Sequence, residues 1–252
     1  MLKKFLQWQY NLSMAFDKAF IDKKYRVYGT SDFIVSVMPE FLTQDARVIE
    51  VGGGKSPRIT AELKKQRGLK ITGLDIDESE LKLAPPDIYD QVLVADITRE
   101  KGNGDYDGIV CRSLLEHVEN TEKAIANMSS FLKPGGRLLA FAPCRNAAFA
   151  RLNLVMPEKI KRKLIDYLYN NEGKQAELMG FRAYYDRCTP SQIQANAEKA
   201  GFKVIEKRLY YMSNYFAFFT PVYILWRFYQ FLIIKAGWED FCEGFSFVFE
   251  RK

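Results

Sequence analysis

Residues Val48 to Ser56 read V-I-E-V-G-G-G-K-S. The first four, Val48 to Val51, have the β-branched character of a short buried strand. Three consecutive glycines follow them directly. A glycine-rich turn at the carboxyl end of a buried strand restricts the fold to a short list. Without side chains the turn can be tight and a ligand can lie against bare backbone. That need arises in open parallel α/β sheets, where ligands bind beyond the carboxyl ends of the strands. A helix is expected to begin at Pro57.

The spacing narrows the ligand. A phosphate loop needs four residues between its first glycine and the Gly-Lys pair, and here they are missing. A nicotinamide-type Gly-x-Gly-x-x-Gly fails too, because position 57 is proline. Glu50, just before the glycines, would repel a phosphate. The next strand ends in "ITGLDI", with Asp75 at its tip. A carboxylate at that place can accept two hydrogen bonds from ribose hydroxyls. A ligand with a ribose, a cationic centre and no phosphate satisfies all three conditions, and S-adenosylmethionine is such a molecule.

Strand and helix patterns alternate through residues 46–143. Strands are expected at Val48–Val51, Lys70–Leu74, Gln91–Ala95, Gly108–Cys111 and Arg137–Ala142. The clearest helix is Thr121–Leu132, with Asn120 as its cap and Ile125, Met128 and Leu132 on one face. The sequence K-P-G-G then forbids its continuation. Such alternation implies right-handed crossovers and a parallel sheet. "TPSQIQANAEKAGF" opens with a capping box, Thr189 as cap, Pro190 in first position and Gln192 reaching back. "FKVIEKRLY" and the closing "GFSFVFERK" read as strands. The chain divides into an N-terminal helical cap (1–45), a ligand-binding core (46–143), a lid or substrate insertion (144–188) and a segment that completes the sheet (189–252). That last segment contains an apolar insertion at 215–234.

Taken in order, these stretches resemble the class I S-adenosylmethionine-dependent methyltransferases, in the branch with an "EHV" motif (methyltransferase type 11-like). "VIEVGGGKS", "ITGLDI", "VLVADI", "YDGIVCRSLLEHVEN" and "FLKPGGRLLAFAP" follow one another at the family's spacing, with Ser56 where the first motif has its last glycine. The resemblance is close over Arg47–Pro143 and loose over Phe181–Lys252. It implies a Rossmann-like, mostly parallel seven-stranded sheet with helices on both faces, an antiparallel last strand and helical lid insertions. It also implies roles by position. Gly52, Gly53 and Gly54 would face the methionine part of the cofactor, with Glu50 near its amino group. Asp75 would hold the ribose and Ile76 would pack on the adenine. Asp96 would accept from the adenine amino group beside Ile97, and Arg112 joins the cofactor-binding set.

Methyl transfer from a sulfonium is an in-line displacement, and a hydroxyl acceptor is helped by a general base. The single histidine, His117, sits just past the fourth strand and is the candidate base; the other reading is that it packs a loop as part of the "EHV" architecture. Related quinone O-methyltransferases can carry a further carboxylate three residues before that glutamate. Ser113 stands there, so Glu116 and His117 lack a ligand and no metal is expected. Four cysteines without a Cys-x-x-Cys pair also argue against zinc and fit reduced thiols in a cytoplasmic protein. Tyr184, Tyr185 and Arg187 are candidate substrate contacts; surface or packing roles stay open for them.

The expected activity is methylation of a small-molecule acceptor, lipophilic or glycosylated, with oxygen favoured. A cofactor-binding regulatory or scaffold protein is the alternative. A net charge of +6 permits a nucleic-acid partner. No Asn/Asp-Pro-Pro-Tyr/Phe motif follows the fourth strand, however, and no such partner is expected. The N-terminus lacks a signal-peptide cleavage pattern and reads as an amphipathic helix. "YFAFFTPVYILWRFYQFLII" (215–234) is long enough to span a bilayer, but Pro221 and Arg227 interrupt it. It is expected to fold as one or two helices against the open end of the sheet. Its apolar surplus would line the acceptor pocket or meet a membrane peripherally.

Overall fold

The computed structural model describes residues 2–157 and 182–252. Most of the expected lid, residues 158–181, lies outside the described residues. Helix α1 (Leu2–Phe20) opens the chain. A second helical stretch follows as α2 (Gly29–Asp32), a π-helical turn at Phe33–Val37 and α3 (Met38–Phe41). The core then runs β1 (Arg47–Val51), α4 (Ala61–Arg67), β2 (Lys70–Asp75), α5 (Glu78–Lys82), β3 (Gln91–Val94), β4 (Tyr106–Arg112), α6 (Thr121–Phe131), β5 (Leu132–Pro143) and α7 (Ala148–Val155). Further along come α8 (Pro190–Lys199), β6 (Phe202–Tyr210), α9 (Thr220–Ala236) and β7 (Gly244–Arg251).

The seven strands form one sheet in the order β3-β2-β1-β4-β5-β7-β6. β1 pairs in parallel with β2 on one side and β4 on the other, so the order reverses between β1 and β4. β7 enters antiparallel between β5 and β6. Alternating side chains cover both faces, as expected of strands buried on each side. Ile49, Val51, Ile109 and Leu138 pack with Ile125, Met128 and Ile193 of α6 and α8. Val48, Ile71, Val110 and Leu139 pack with Phe33, Val37 and Met38 from the N-terminal helices.

One expected helix start differs from the structure. α4 begins at Ala61, not Pro57, because Thr60 caps it by accepting from Leu63 N at 3.1 Å. The intervening Arg58 N is already claimed by Glu50 Oε1, at 2.5 Å. A second helix, α8, starts at Pro190 after Thr189 as expected but without the expected capping bond. Asp240 caps from across the fold instead, accepting from Ser191 N at 2.8 Å. Asn120 caps α6 as expected, accepting from Lys123 N at 2.9 Å. The helix ends at Phe131, and Leu132 already belongs to β5.

The apolar insertion becomes one helix, α9, which packs on α1. The contact between the two combines a small apolar cluster, Tyr223 and Trp226 against Tyr10, Met14 and Phe16, with a polar seam. Thr220 N donates to Gln9 Oε1 at 2.9 Å, and Ser13 Oγ donates to Ala217 O at 3.0 Å. Arg227, which interrupts the apolar run in sequence, is buried and paired with buried Asp17; its Nε lies 2.8 Å from Oδ1. Tyr223 also donates to Asp17, at 2.8 Å. Among the described residues no helix is long and apolar enough to cross a membrane.

Removing one member of a buried ion pair leaves the other charge without compensation. Asp17→Ala is expected to lower unfolding free energy by about 3–5 kcal/mol, while Asp22→Ala on the exposed turn beyond α1 changes it little. Urea denaturation of the two variants checks this.

Candidate active site

The reversal of strand order between β1 and β4 opens a crevice at their carboxyl ends, and the glycine turn forms its floor. Gly52 and Gly54 have positive φ angles of 74° and 44°, a region that glycine enters without steric cost. Space also demands glycine. A Cβ on Gly53 would stand 2.3 Å from the Tyr89 hydroxyl, and one on Gly52 2.8 Å from Leu114.

Beneath this turn Glu50 is only 2 % exposed. Its Oε1 accepts from Arg58 N, but its Oε2 is buried with no hydrogen-bond partner among the described residues. Burial pushes the carboxyl up to about 7, against backbone bonds from Arg58 and Ile59 and the charges of Arg58 and Arg112. Arg112 is pushed down to about 10, chiefly by burial and by Arg58, and its Nε is also unpartnered. Glu116 is the third member of this group. Burial raises its carboxyl to about 8, with its own backbone and Arg112 pulling the other way, and its Oε2 has no partner among the described residues. Three buried polar atoms are thus left over in one place, where each unmet group costs free energy. A ligand carrying an ammonium and a carboxylate, as a methionine moiety does, would satisfy them.

The crevice continues into a cavity of about 390 Å³ lined by Gly52, Asp75, Ile76, Asp96, Ile97, Ser113, Leu114, His117 and Tyr184, among others. Asp75 ends β2 with its Oδ1 accepting from Asp77 N at 3.1 Å. Burial raises its carboxyl pKa. Ile76 is exposed on one wall and Ile97 buried on another, as befits two surfaces gripping a flat ring. The Oδ1 of Asp96 is already held by Thr98 N at 2.8 Å. His117 sits at the mouth, its Nδ1 3.1 Å from Arg182 O and its Nε2 3.8 Å from Glu116 Oε1.

The structure therefore gathers every expected cofactor residue around one crevice, in two adjoining parts. Glu50, the glycines and Arg112 line a smaller part of about 170 Å³ at the turn. The three expected substrate contacts separate. Tyr184 lines the cavity. Tyr185 is 4 % exposed and packs in the core below it. Arg187 points away and pairs with Glu122 at the start of α6. Their main chain explains the divergence: Tyr184 N and Tyr185 N both donate to Glu116 O, at 2.8 and 3.0 Å. Two residues with positive φ, Tyr185 and Arg187, then turn the chain sharply. Glu116 as part of the polar group and Tyr89 beneath the glycines were not legible in the sequence. "EHV" marked the position of Glu116, but nothing in the spacing marked its burial.

An open sheet with this strand order, a glycine turn over a buried acid and an aspartate at the tip of β2 are the arrangement of the class I S-adenosylmethionine-dependent methyltransferases. Similarity to known proteins agrees. A family described as methyltransferase domain matches residues 23–207, and the chain belongs to that family. A ubiquinone biosynthesis O-methyltransferase of Bordetella avium (strain 197N) is 27% identical over 168 residues, 64% of this chain and 63% of that one. One from Chromobacterium violaceum is 32% identical over 126 residues, 47% and 53% of the two chains. The chain thus spans less than two thirds of the length of these relatives. Among solved structures, phosphoethanolamine N-methyltransferase 2 of Haemonchus contortus, in complex with S-adenosyl-L-methionine, superposes with a TM-score of 0.54 at 16% identity. The match covers all of this chain and 60% of that one, and it shows the fold.

Glu50 is expected to link cofactor binding to pH. A carboxyl whose folded-state pKa is raised stabilises the fold fully only below its unfolded value. That contribution is lost as pH rises from about 4.5 through about 7. The protein without cofactor should therefore lose stability over this window relative to Glu50→Gln, and a bound ammonium should restore it. Cofactor affinity should rise roughly tenfold between pH of about 5.5 and about 7.5 in the native protein and stay flatter in Glu50→Gln. Thermal denaturation and calorimetry across pH check both. By the same calorimetry Asp75→Ala should weaken cofactor binding by about 1.5–3 kcal/mol.

Proposed function

We propose that the chain methylates a hydroxyl group of a small lipophilic acceptor, with His117 as general base. The observation that carries this reading is the position of His117. It is the chain's single histidine, and it lines the same cavity as Asp75 and Asp96. When bound, the cofactor supplies an electrophilic methyl group on a sulfonium.

The chain's own residues would do the rest. The Nδ1 of His117 faces the carbonyl of Arg182, which favours the tautomer with its proton on Nδ1 and a lone pair on Nε2. Nε2 can then take the acceptor's hydroxyl proton. The carboxyl of Glu116 lies 3.8 Å from Nε2. Tyr184 and Leu114 line the cavity beside it, where a bound acceptor would displace competing water from the methyl group. The names of the sequence relatives, ubiquinone biosynthesis O-methyltransferases, support oxygen as the methylated atom and are in keeping with a lipophilic acceptor.

Incubation with methyl-labelled cofactor and a panel of lipophilic phenols, catechols and glycosides, read by mass detection, tests the proposal. A labelled ether product is expected. His117→Ala should lower kcat by roughly 10²–10⁴ with cofactor affinity changed no more than a few-fold. Normal turnover by that variant would assign the ring to loop packing, and label found only on nitrogen or carbon would overturn O-methylation.

A further inference from the structure

Helices α1 and α9 meet through a seam rich in polar groups beside a small aromatic cluster, in which Tyr223 and Trp226 pack against Tyr10 and Met14, and they leave large apolar side chains outside. On α9 the buried residues are Thr220, Tyr223, Trp226, Arg227, Gln230 and Ile233, a face on which polar and charged groups outnumber aliphatic ones. The opposite face is apolar and exposed: Leu225 is 69% accessible and Phe228 60%, with Phe231 and Leu232 beside them. In α1 the buried residues are Gln9, Ser13 and Asp17, whereas Phe5, Trp8 and Leu12 are exposed. A helix on a water-soluble core puts its apolar stripe inward. Polar glue between helices with apolar flanks outward is the arrangement that lipid, not water, rewards.

Charge selects the occupant. The only acidic residue in 1–20 or 215–238 is Asp17, which is buried against Arg227. Every exposed charge on the two helices is therefore a lysine: Lys3, Lys4, Lys18 and Lys235. On α1, Lys3 and Lys4 share the first turn with the exposed Leu2 and Phe5, and cations near an apolar stripe suit an interfacial helix. α9 has 17 residues, about 25 Å of helix, and Arg227 is fixed on its inner side, so the pair would lie in the surface of a bilayer and not cross it.

We infer that the α1–α9 pair is a docking surface for an anionic lipid bilayer. The surface stands at the cofactor end of the sheet. Arg227 donates to Tyr211 O at 2.7 Å, just past β6, and Trp226 donates to Glu243 Oε1 at 3.0 Å, just before β7. Glu243 O in turn accepts from Cys144 N at the end of β5. The docked face therefore shares the strand ends from which the cofactor crevice opens. Docking does not depend on which atom is methylated, so its test is separate from the test of the acceptor.

Flotation of the full chain with vesicles decides the matter. The protein is expected to float with phosphatidylcholine vesicles containing one-third phosphatidylglycerol, and much less with phosphatidylcholine alone. Leu225→Glu/Phe228→Glu, on two exposed positions, should abolish flotation while leaving the melting temperature and cofactor affinity as they were. Lys3→Gln/Lys4→Gln should lower partitioning roughly ten- to thirtyfold. A native protein that stays with the soluble fraction, or a glutamate variant that floats like the native one, overturns the inference. So does a native dimer that the glutamate variant converts to monomer without any lipid binding, since a second copy would then be what covers the face.

Discussion

Burying Glu50 under a turn that has no side chains of its own is the constraint on which the site depends. The carboxyl is held from one side by the backbone of Arg58, which delays the start of α4 to Ala61. The turn must curve over it, which places glycine at positions 52 and 54, and Tyr89 rises behind, which leaves no room for a side chain at Gly53. The unspent oxygen of Glu50 then faces the crevice. Desolvating a carboxylate is costly, and the cost is recovered only when a cation arrives. The geometry of the turn and the half-partnered acid beneath it both follow from one buried group.

The opposite end of the polar group works by the same logic. Arg112 lies between two acids, and all three keep an atom unmatched. Such a cluster is unfavourable in an empty protein and is tolerated where binding completes it. Glu116 acts through its main chain as well. Its backbone oxygen anchors Tyr184 and Tyr185, so the residue that faces His117 also fixes the loop that closes the cavity.

Much of this was legible in the sequence because it rests on local pattern. Strand positions, the crevice and the aspartate at the tip of β2 follow from periodicity and from glycines in sequence order. What escaped was set by distant partners. Asp240 caps α8 from beyond β6, and so displaces the local capping box that Thr189 and Gln192 suggested. Tyr185 and Arg187 sit in a motif rich in binding-type residues, but two left-handed backbone positions turn one inward and the other to Glu122. Arg227 read as a flaw in an apolar run, since nothing near it in sequence announces Asp17 as its partner. Periodicity carries information about which face is buried; it carries little about which polar pairs meet across helices.

The place of β7 bears on how the chain must be made. It is the last of the seven strands in sequence, yet it lies inside the sheet, and among the described residues β6 has no other neighbour. Phe245, Phe247 and Phe249 carry it into the core. During synthesis, the cofactor crevice between β1 and β4 can form while β5 still presents an open edge and β6 has nothing to pair with. The growing chain thus spends an interval with two unsatisfied strand margins, a state prone to illicit pairing with other chains. The strand that ends this interval arrives only when translation reaches Arg251.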